Sequence, residues 1–189
     1  VCSSNSRLLL HSSIAEQFLD MLVGRAAQVT PGNPLDPAAT LGAIVDEEHT
    51  RRVLGFIERA RSDGRIVLGG TRETVDGRGC FIAPTIVTDL APNAELVTEE
   101  VFGPVLAVQT FDDEAQAVAM ANDSVYGLAA SVWTRDLSTA HRVAAALRAG
   151  TVSVNTVDAL SAHTPFGGFK QSGFGRDLSV HALDKYTGL

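Results

Sequence analysis

Residues 98–108 read Thr-Glu-Glu-Val-Phe-Gly-Pro-Val-Leu-Ala-Val, which is a pair of carboxylates, an aromatic residue, a Gly-Pro break and an apolar run. The apolar run predicts a strand, and the Gly-Pro pair fixes the backbone so that the preceding side chains project from a defined turn. Glu100 offers two acceptor oxygens for a diol, and Phe102 offers a flat face for a ring. The alternative is a helix-capping carboxylate pair and a core Phe. These residues alone leave both interpretations open.

Strand and helix patterns alternate on both sides of this stretch. Strands are predicted at residues 7–11, 65–68, 81–87, 105–110, 128–133 and 151–155, and helices at 13–27, 46–63, 113–122 and 136–147. Such alternation implies an α/β fold with a largely parallel sheet covered by helices on both faces. We interpret residues 1–189 as one domain without an internal linker.

Local signals predict where several elements begin or break. Ser13 with Glu16 predicts a capping box at the first helix. Pro84 interrupts the strand at 81–87, which predicts an edge position or a bend. Residues 71–80 are polar and Gly-rich and predict a surface turn. The acidic residues expected to begin the other helices are Asp46, Asp113 and Asp136.

The composition excludes several classes of protein. The 189 residues are 45% hydrophobic and 20% charged, as in an ordinary globular domain. A net charge of −7 argues against nucleic acid and anionic membrane surfaces as partners. Only two cysteines, Cys2 and Cys80, argue against a disulfide framework, so we expect a reducing, cytoplasmic location. No apolar run approaches the roughly 20 residues needed to span a bilayer.

Two further features are candidates for chemistry. Cys2 precedes a Ser-rich turn, which suits a loop-borne nucleophile, but a lone cysteine without a His neighbour is more often a small buried hydrophobe. Cys80 is interpreted as structural. Residues 165–176 read Pro-Phe-Gly-Gly-Phe-Lys-Gln-Ser-Gly-Phe-Gly-Arg, which lacks the spacing of a phosphate-binding loop. We favour a backbone-crowded crossover there over a shaped loop beside a site.

Several blocks of the sequence occur in an order and spacing that are typical of one family. They are residues 1–2, 99–105, 122–128, 133–136, 150–155 and 165–173. Together they resemble the catalytic half of NAD(P)-dependent aldehyde dehydrogenases, and the resemblance covers nearly the whole chain. Residues 175–187, with 35–37, most resemble the gamma-glutamyl-gamma-aminobutyraldehyde dehydrogenase branch. The resemblance implies a fold like that of the aldehyde dehydrogenase catalytic domain.

The resemblance implies a role for Cys2 as the nucleophile. Its sulfur would attack the aldehyde carbonyl to give a thiohemiacetal, whose hydride passes to the nicotinamide, and the thioester left behind is hydrolysed to the acid. The oxyanion would lie against the backbone N–H of Cys2.

The same resemblance assigns the binding residues. Glu100 would hold the hydroxyls of the nicotinamide-side ribose, Phe102 would pack beside the nicotinamide, and His49 would touch the adenosine end. Residues 157–163 would lie beside the aldehyde pocket. The candidates there for tuning selectivity are Asp158, Leu160 and His163, and an acidic Asp158 suits an amine-bearing aldehyde.

The resemblance also implies partners and a larger protein. The cofactor is NAD or NADP, with NAD favoured, no metal is expected, and the substrate is a small aldehyde. The full-length protein is expected to be a homo-oligomer, a dimer or tetramer. The family's Rossmann-like domain, general-base glutamate and oxyanion-hole asparagine would precede Val1, and a strand reaching a partner subunit would follow Leu189. Residues 1–189 are therefore expected to be a catalytic domain truncated at both ends.

Two alternatives remain open on the sequence. The chain by itself could be a catalytically inactive scaffold or oligomerisation module. The parent enzyme could also be an acylating dehydrogenase that hands the thioester to coenzyme A.

Overall fold

The computed structural model describes residues 1–187. The strands are β1 (Arg7–His11), β2 (Arg65–Leu68), β3 (Arg72–Val75), β4 (Arg78–Ile82), β5 (Thr85–Thr88), β6 (Val105–Phe111), β7 (Tyr126–Gly127), β8 (Ala129–Val132), β9 (Thr151–Val154) and β10 (Phe169–Lys170). The helices are α1 (Ser12–Ala26), α2 (Glu47–Asp63), α3 (Glu95–Thr98), α4 (Glu114–Asn122) and α5 (Leu137–Ala146), and a 3₁₀ helix covers Val180–Lys185.

The chain divides into two compact units. We call Ser6–Asp112 the core unit, and Val1–Asn5 with Asp113–Leu189 the cysteine unit. The two units lie within residues 1–189, which the sequence predicts to be one domain.

The core unit contains a four-stranded sheet in the order β1-β6-β5-β2. β1 pairs with β6 in parallel, with Leu8 opposite Val108, and β5 also pairs with β6 in parallel, with Thr85 opposite Val105. β2 runs antiparallel at the edge beside β5. The predicted largely parallel sheet is therefore confirmed.

Both faces of this sheet are covered by helices. Val87 and Ala107 pack into the cluster that includes the α2 residues, whereas Ile86 and Val108 pack into the cluster that includes the α1 residues. Because side chains alternate along a strand, neighbours in sequence enter opposite faces. The run at residues 105–108 is continuously apolar for this reason. The predicted helical cover on both faces is confirmed.

The acidic caps of three helices are confirmed. Each carboxylate accepts a hydrogen bond from the backbone N–H three residues on. The pairs are Asp46 with His49 (2.7 Å), Asp113 with Gln116 (2.8 Å) and Asp136 with Thr139 (2.6 Å).

The capping box predicted at Ser13 is wrong. Helix α1 begins at Ser12, and its N-cap is His11, whose Nδ1 accepts from the Ser13 N–H at 3.1 Å. His11 still has the extended backbone of β1, with φ −62° and ψ 133°. Its ring therefore reaches the first free N–H groups of the helix, and the helix follows the strand without an intervening turn residue.

The surface turn predicted at residues 71–80 is confirmed only at residues 76–77, because β3 and β4 form a hairpin on either side of it. Arg72 lies opposite Ile82, and Asp76 and Gly77 both have positive φ, 53° and 71°. An Asp-Gly pair in this conformation suits the twist of a tight hairpin. The sequence contains this Asp-Gly pair, but the residues around it are mostly polar and do not alternate clearly between apolar and polar, so a hairpin was not predicted.

Pro84 breaks the predicted strand at 81–87 into β4 and β5, so the predicted bend is confirmed. The edge alternative is wrong, since β5 lies between β6 and β2. The proline is tolerated because the ladder begins after it, at Thr85, whose N–H donates to the Pro104 oxygen at 2.8 Å.

The cysteine unit is built from short ladders. β8 and β9 pair in parallel, and β7 and β10 form an antiparallel ladder. The predicted strands at 128–133 and 151–155 are confirmed as β8 and β9. The backbone of the loop at residues 165–176 is crowded, as predicted. A Cβ at Gly150, just before β9, would lie 1.6 Å from the Gly167 oxygen of this loop.

Candidate active site

The segment that carries Cys2 is fastened to β8 in the cysteine unit. Cys2 is exposed and its thiol is free, in a turn closed by the Ser4 N–H donating to the Val1 oxygen at 3.1 Å. The side-chain amide of Asn5 donates to Ser131 Oγ at 2.5 Å. Cys2 is thus a loop-borne, open thiol, and the alternative of a small buried hydrophobe is wrong.

A shallow depression in the cysteine unit lies beside this segment. Its lining includes Ser3 and Asn5, the neighbours of Cys2, together with Asp158 and Leu160. The structure therefore brings two of the three predicted aldehyde-pocket residues to the segment of the predicted nucleophile. His163 is exposed and does not line this depression.

The depression has a mixed polar and apolar lining, with one acidic side chain. Ser131 and Ser153 contribute hydroxyl groups to its lining. Thr151 Oγ1, also in the lining, is buried and has no hydrogen-bond partner among residues 1–187.

The second group of predicted residues lies in the core unit, directly after α3. Phe102 has φ 56° and its side chain is 50% exposed, while the preceding Val101 is buried. A Cβ at Gly103 would lie 2.8 Å from Val53 Cγ1, so the glycine allows the segment to pack directly on α2. The core-Phe alternative is wrong. The capping alternative is wrong as well, because both glutamates follow α3 instead of preceding a helix.

Helix α2 holds this segment through two side chains. His49 Nε2 donates to the Phe102 carbonyl oxygen at 2.8 Å, and the two rings meet edge to face with centroids 6.5 Å apart. Arg52 donates to the Glu100 carbonyl oxygen at 3.0 Å. The structure thus brings together the three predicted cofactor residues, His49, Glu100 and Phe102. A contact of His49 with the adenosine end stays a prediction.

The exposed groups here are a carboxylate and an aromatic ring. Within residues 1–187 the Glu100 carboxylate makes no hydrogen bond or ion pair, and it lies two residues from a half-exposed aromatic ring. A free carboxylate beside a flat apolar face matches a sugar diol attached to a ring.

Sequence reasoning missed Asn5 and Arg52. Arg52 stands three residues after His49, so the two share a face of α2, and that spacing was the available signal. No signal in the sequence pairs Asn5 with Ser131, which are 126 residues apart.

Two features are absent from the described residues, a metal-binding group and a membrane-spanning helix. No three His, Cys, Asp or Glu side chains within residues 1–187 come together as a metal-binding group. No helix in the described part of the chain has the length and apolar character to cross a membrane.

The sequence of this chain matches a family model and several known proteins. The model described as "Aldehyde dehydrogenase family" matches residues 1–189. The chain is 50% identical over 189 residues to the NADP/NAD-dependent aldehyde dehydrogenase PuuC of Escherichia coli (strain K12), covering 100% of this chain and 38% of PuuC.

Two solved structures are also similar. Gamma-glutamyl-gamma-aminobutyraldehyde dehydrogenase from Burkholderia cenocepacia J2315 has a TM-score of 0.96 and 51% identity, covering 100% of this chain and 38% of that chain. Indole-3-acetaldehyde dehydrogenase in complex with NAD+ has a TM-score of 0.96 and 48% identity, with the same coverage of 100% and 38%. The predicted resemblance, including that to the gamma-glutamyl-gamma-aminobutyraldehyde dehydrogenase branch, is confirmed.

Proposed function

Because this chain belongs to the aldehyde dehydrogenase family, we propose that the protein oxidises an aldehyde to a carboxylic acid with NAD(P)+. The observation that carries the proposal is that the exposed Cys2 turn borders a depression lined by Asp158 and Leu160. A nucleophile and a substrate surface are thus provided by one unit. The chain spans 38% of the length of PuuC, so the activity is proposed for the whole protein.

Cys2 performs the covalent chemistry. Its sulfur, after losing its proton to a base, forms a C–S bond with the aldehyde carbon, and the carbonyl π electrons move to oxygen. The backbone N–H of Cys2 stabilises that oxyanion. When the C=O bond re-forms, the hydrogen leaves the carbon as hydride and a thioester remains. Water then adds to the thioester, the C–S bond breaks, and the acid and the thiol are released.

The cofactor contributes the hydride acceptor, and the core unit contributes part of its binding surface. The Glu100 carboxylate would accept hydrogen bonds from the ribose hydroxyls on the nicotinamide side, and the Phe102 ring would pack beside the nicotinamide. His49 remains a candidate for the adenosine end. The NAD+ complex of a 48%-identical relative favours NAD, whereas the name of PuuC includes NADP.

The proposed substrates are aldehydes that carry an amine. Asp158 supplies a negative charge in the depression, and Leu160, which is 49% exposed, supplies an apolar contact for the carbon chain. The 51%-identical Burkholderia relative is a dehydrogenase that is named after an aminobutyraldehyde derivative. His163 remains a candidate for selectivity at the outer end of this segment.

We also propose a cytoplasmic homo-oligomer, either a dimer or a tetramer. Both cysteines of the chain are free, as is usual in a reducing compartment. Exposed large apolar side chains such as Phe174 (95%) and Tyr186 (82%) support burial against further protein.

The test uses the full-length enzyme and NAD+. Cys2→Ala is expected to lower kcat by at least about 10⁴-fold, because the covalent step loses its nucleophile. Cys80→Ala is the matched control and keeps wild-type turnover. The 189-residue chain alone is expected to show no turnover. Undiminished oxidation by Cys2→Ala would exclude this mechanism, and formation of an acyl-coenzyme A in place of the acid when coenzyme A is added would favour the acylating alternative.

The substrate class is tested with two aldehydes of equal chain length, one with a terminal amine and one with a terminal methyl. Asp158→Asn is expected to lower kcat/KM for the amine about two- to fivefold, as for an exposed charge pair, and to leave the neutral aldehyde unchanged. An equal loss for both aldehydes would contradict a charge-pairing role.

A further inference from the structure

Helix α2 and the Glu100–Phe102 segment are joined by two side chain-to-backbone hydrogen bonds. His49 Nε2 donates to the Phe102 oxygen at 2.8 Å, and an Arg52 terminal nitrogen donates to the Glu100 oxygen at 3.0 Å. The donors are three residues apart, so they lie on the same face of the helix. We propose that His49 and Arg52 are positioning residues that hold this backbone and so present the Glu100 carboxylate and the Phe102 ring to the cofactor.

The backbone of Phe102 needs such support. Its φ of 56° lies in the left-handed region, which is uncommon for a bulky aromatic residue. Strained backbone persists where the surroundings over-determine it, and such positions cluster at functional sites. Here the support comes from His49 on the carbonyl side and from Gly103, which packs against Val53.

The donors themselves are well anchored. The backbone N–H of His49 donates to the Asp46 side chain at 2.7 Å, which fixes the first turn of α2. One turn on, Val53 is fully buried, at 0% exposure. A carbonyl oxygen only accepts, so Nε2 of His49 carries the hydrogen, and the bond is available to both the neutral and the protonated ring.

The inference rests on the proposed function in one respect, which is that the molecule bound by the Glu100–Phe102 segment is the NAD(P) cofactor. Its structural part, that α2 sets the conformation of Phe102 and Glu100, stands independently. The positioning role differs from a direct contact of His49 with the cofactor. As a positioning residue, His49 affects cofactor binding only through the backbone of Phe102. Two measurements separate these parts.

The first measurement follows the backbone of Phe102 in the 189-residue chain by NMR, using the three-bond HN–Hα coupling and the backbone chemical shifts. His49→Leu is expected to move Phe102 out of the left-handed region. His49→Gln retains an N–H donor and is expected to preserve the wild-type values. Unchanged Phe102 values in His49→Leu would overturn the proposal.

Arg52→Met provides a second variant should His49→Leu fail to fold. It is expected to shift the resonances of residues 100–102. The matched control is Arg51→Met, which removes the same charge from α2, because Arg51 donates to Glu47 within the helix at 3.4 Å. Equal shifts in both arginine variants would overturn the role of Arg52.

The second measurement is a double-mutant cycle on NADH affinity in the full-length enzyme. His49→Leu is expected to weaken binding about five- to tenfold, the scale of one net hydrogen bond, and to cause a smaller loss in a Phe102→Ala background, where only the Glu100 carboxylate remains to be presented. An equal loss in both backgrounds would show direct contact and overturn the positioning role. Absence of NADH binding by the wild-type enzyme would instead overturn the proposed function, and the NMR result would still decide whether α2 sets the segment.

Discussion

The core unit and the cysteine unit hold their candidate site residues by different means. In the core unit Val53 and Val87 are completely buried, with 0% exposure. Among the buried hydrophobic residues of the described chain, Ala140 alone belongs to the cysteine unit. The Glu100–Phe102 segment therefore rests on a packed interior, whereas the Cys2 turn does not.

The cysteine unit relies on hydrogen bonds and close backbone contacts instead. Phe166 and Asp177 exchange both backbone hydrogen bonds, at 2.8 and 2.7 Å. Arg176 donates to the Gly168 oxygen at 2.9 Å, and its guanidinium lies 4.9 Å from the centroid of the Phe169 ring. A unit with exposed apolar side chains and little interior of its own gains most from burial against further protein.

The largest expected effect tests where the hydrophobic core lies. Ile57 is 1% exposed and packs in the core unit, so Ile57→Ala is expected to lower the free energy of unfolding by about 2–5 kcal/mol. Urea denaturation of the chain measures this loss. The control in the cysteine unit is Leu137→Ala, at a residue that is 71% exposed, with an expected change within about 0.5 kcal/mol. Equal losses in the two variants would contradict the contrast between the units.

The next effect tests the backbone crowding of the cysteine unit. A Cβ at Gly150 would meet the Gly167 oxygen at 1.6 Å, so Gly150→Ala forces a backbone shift and is expected to cost about 1–3 kcal/mol. Thermal unfolding measures it. Gly24 is the matched control, because it lies in α1 with nothing within 4 Å of an added Cβ, and Gly24→Ala is expected to stabilise by about 0.5–1 kcal/mol. If Gly150→Ala also stabilised the chain, the close backbone contact between Gly150 and Gly167 would not be a constraint on the fold of the cysteine unit.

The smallest effect concerns pH and a polar contact of the cysteine unit. Hydrogen bonds from the Thr139 hydroxyl and N–H hold the pKa of Asp136 below its ordinary value of 3.8. A lowered pKa in the folded state means that the carboxylate stabilises the fold above the unfolded value, and that this contribution is lost as the pH falls through the folded value. Stability is therefore expected to fall with acid below about pH 4, partly through this cap.

Asp136→Asn separates this contribution from the other carboxylates. Asparagine is as good an N-cap as aspartate but does not titrate, so its variant is expected to lose less stability between about pH 5 and about pH 3. Urea midpoints at both pH values for the two proteins give the comparison. Parallel losses would show that Asp136 does not contribute to the acid transition.

Much of the fold follows from local sequence signals. Asp46, Asp113 and Asp136 begin helices because a short carboxylate reaches the free N–H three residues on, which needs no distant partner. The Ser13 prediction failed because His11, a residue that the cap statistics do not favour, was placed there by the end of β1. The interior position of β5 could not be predicted, since it depends on strand pairing across the sheet.

The sequence by itself determined the family, the alternation of strands and helices, and which residue types are available for chemistry. The periodicity of apolar residues and the reach of short side chains act within a few residues, so they can be read along the chain. Only the tertiary structure decided that His49 holds the Phe102 carbonyl and that Asn5 fastens the Cys2 turn to Ser131, because these pairs are 53 and 126 residues apart. Such contacts exist only once the chain has packed, and the glutamate and phenylalanine after α3 acquire their exposed arrangement from that packing.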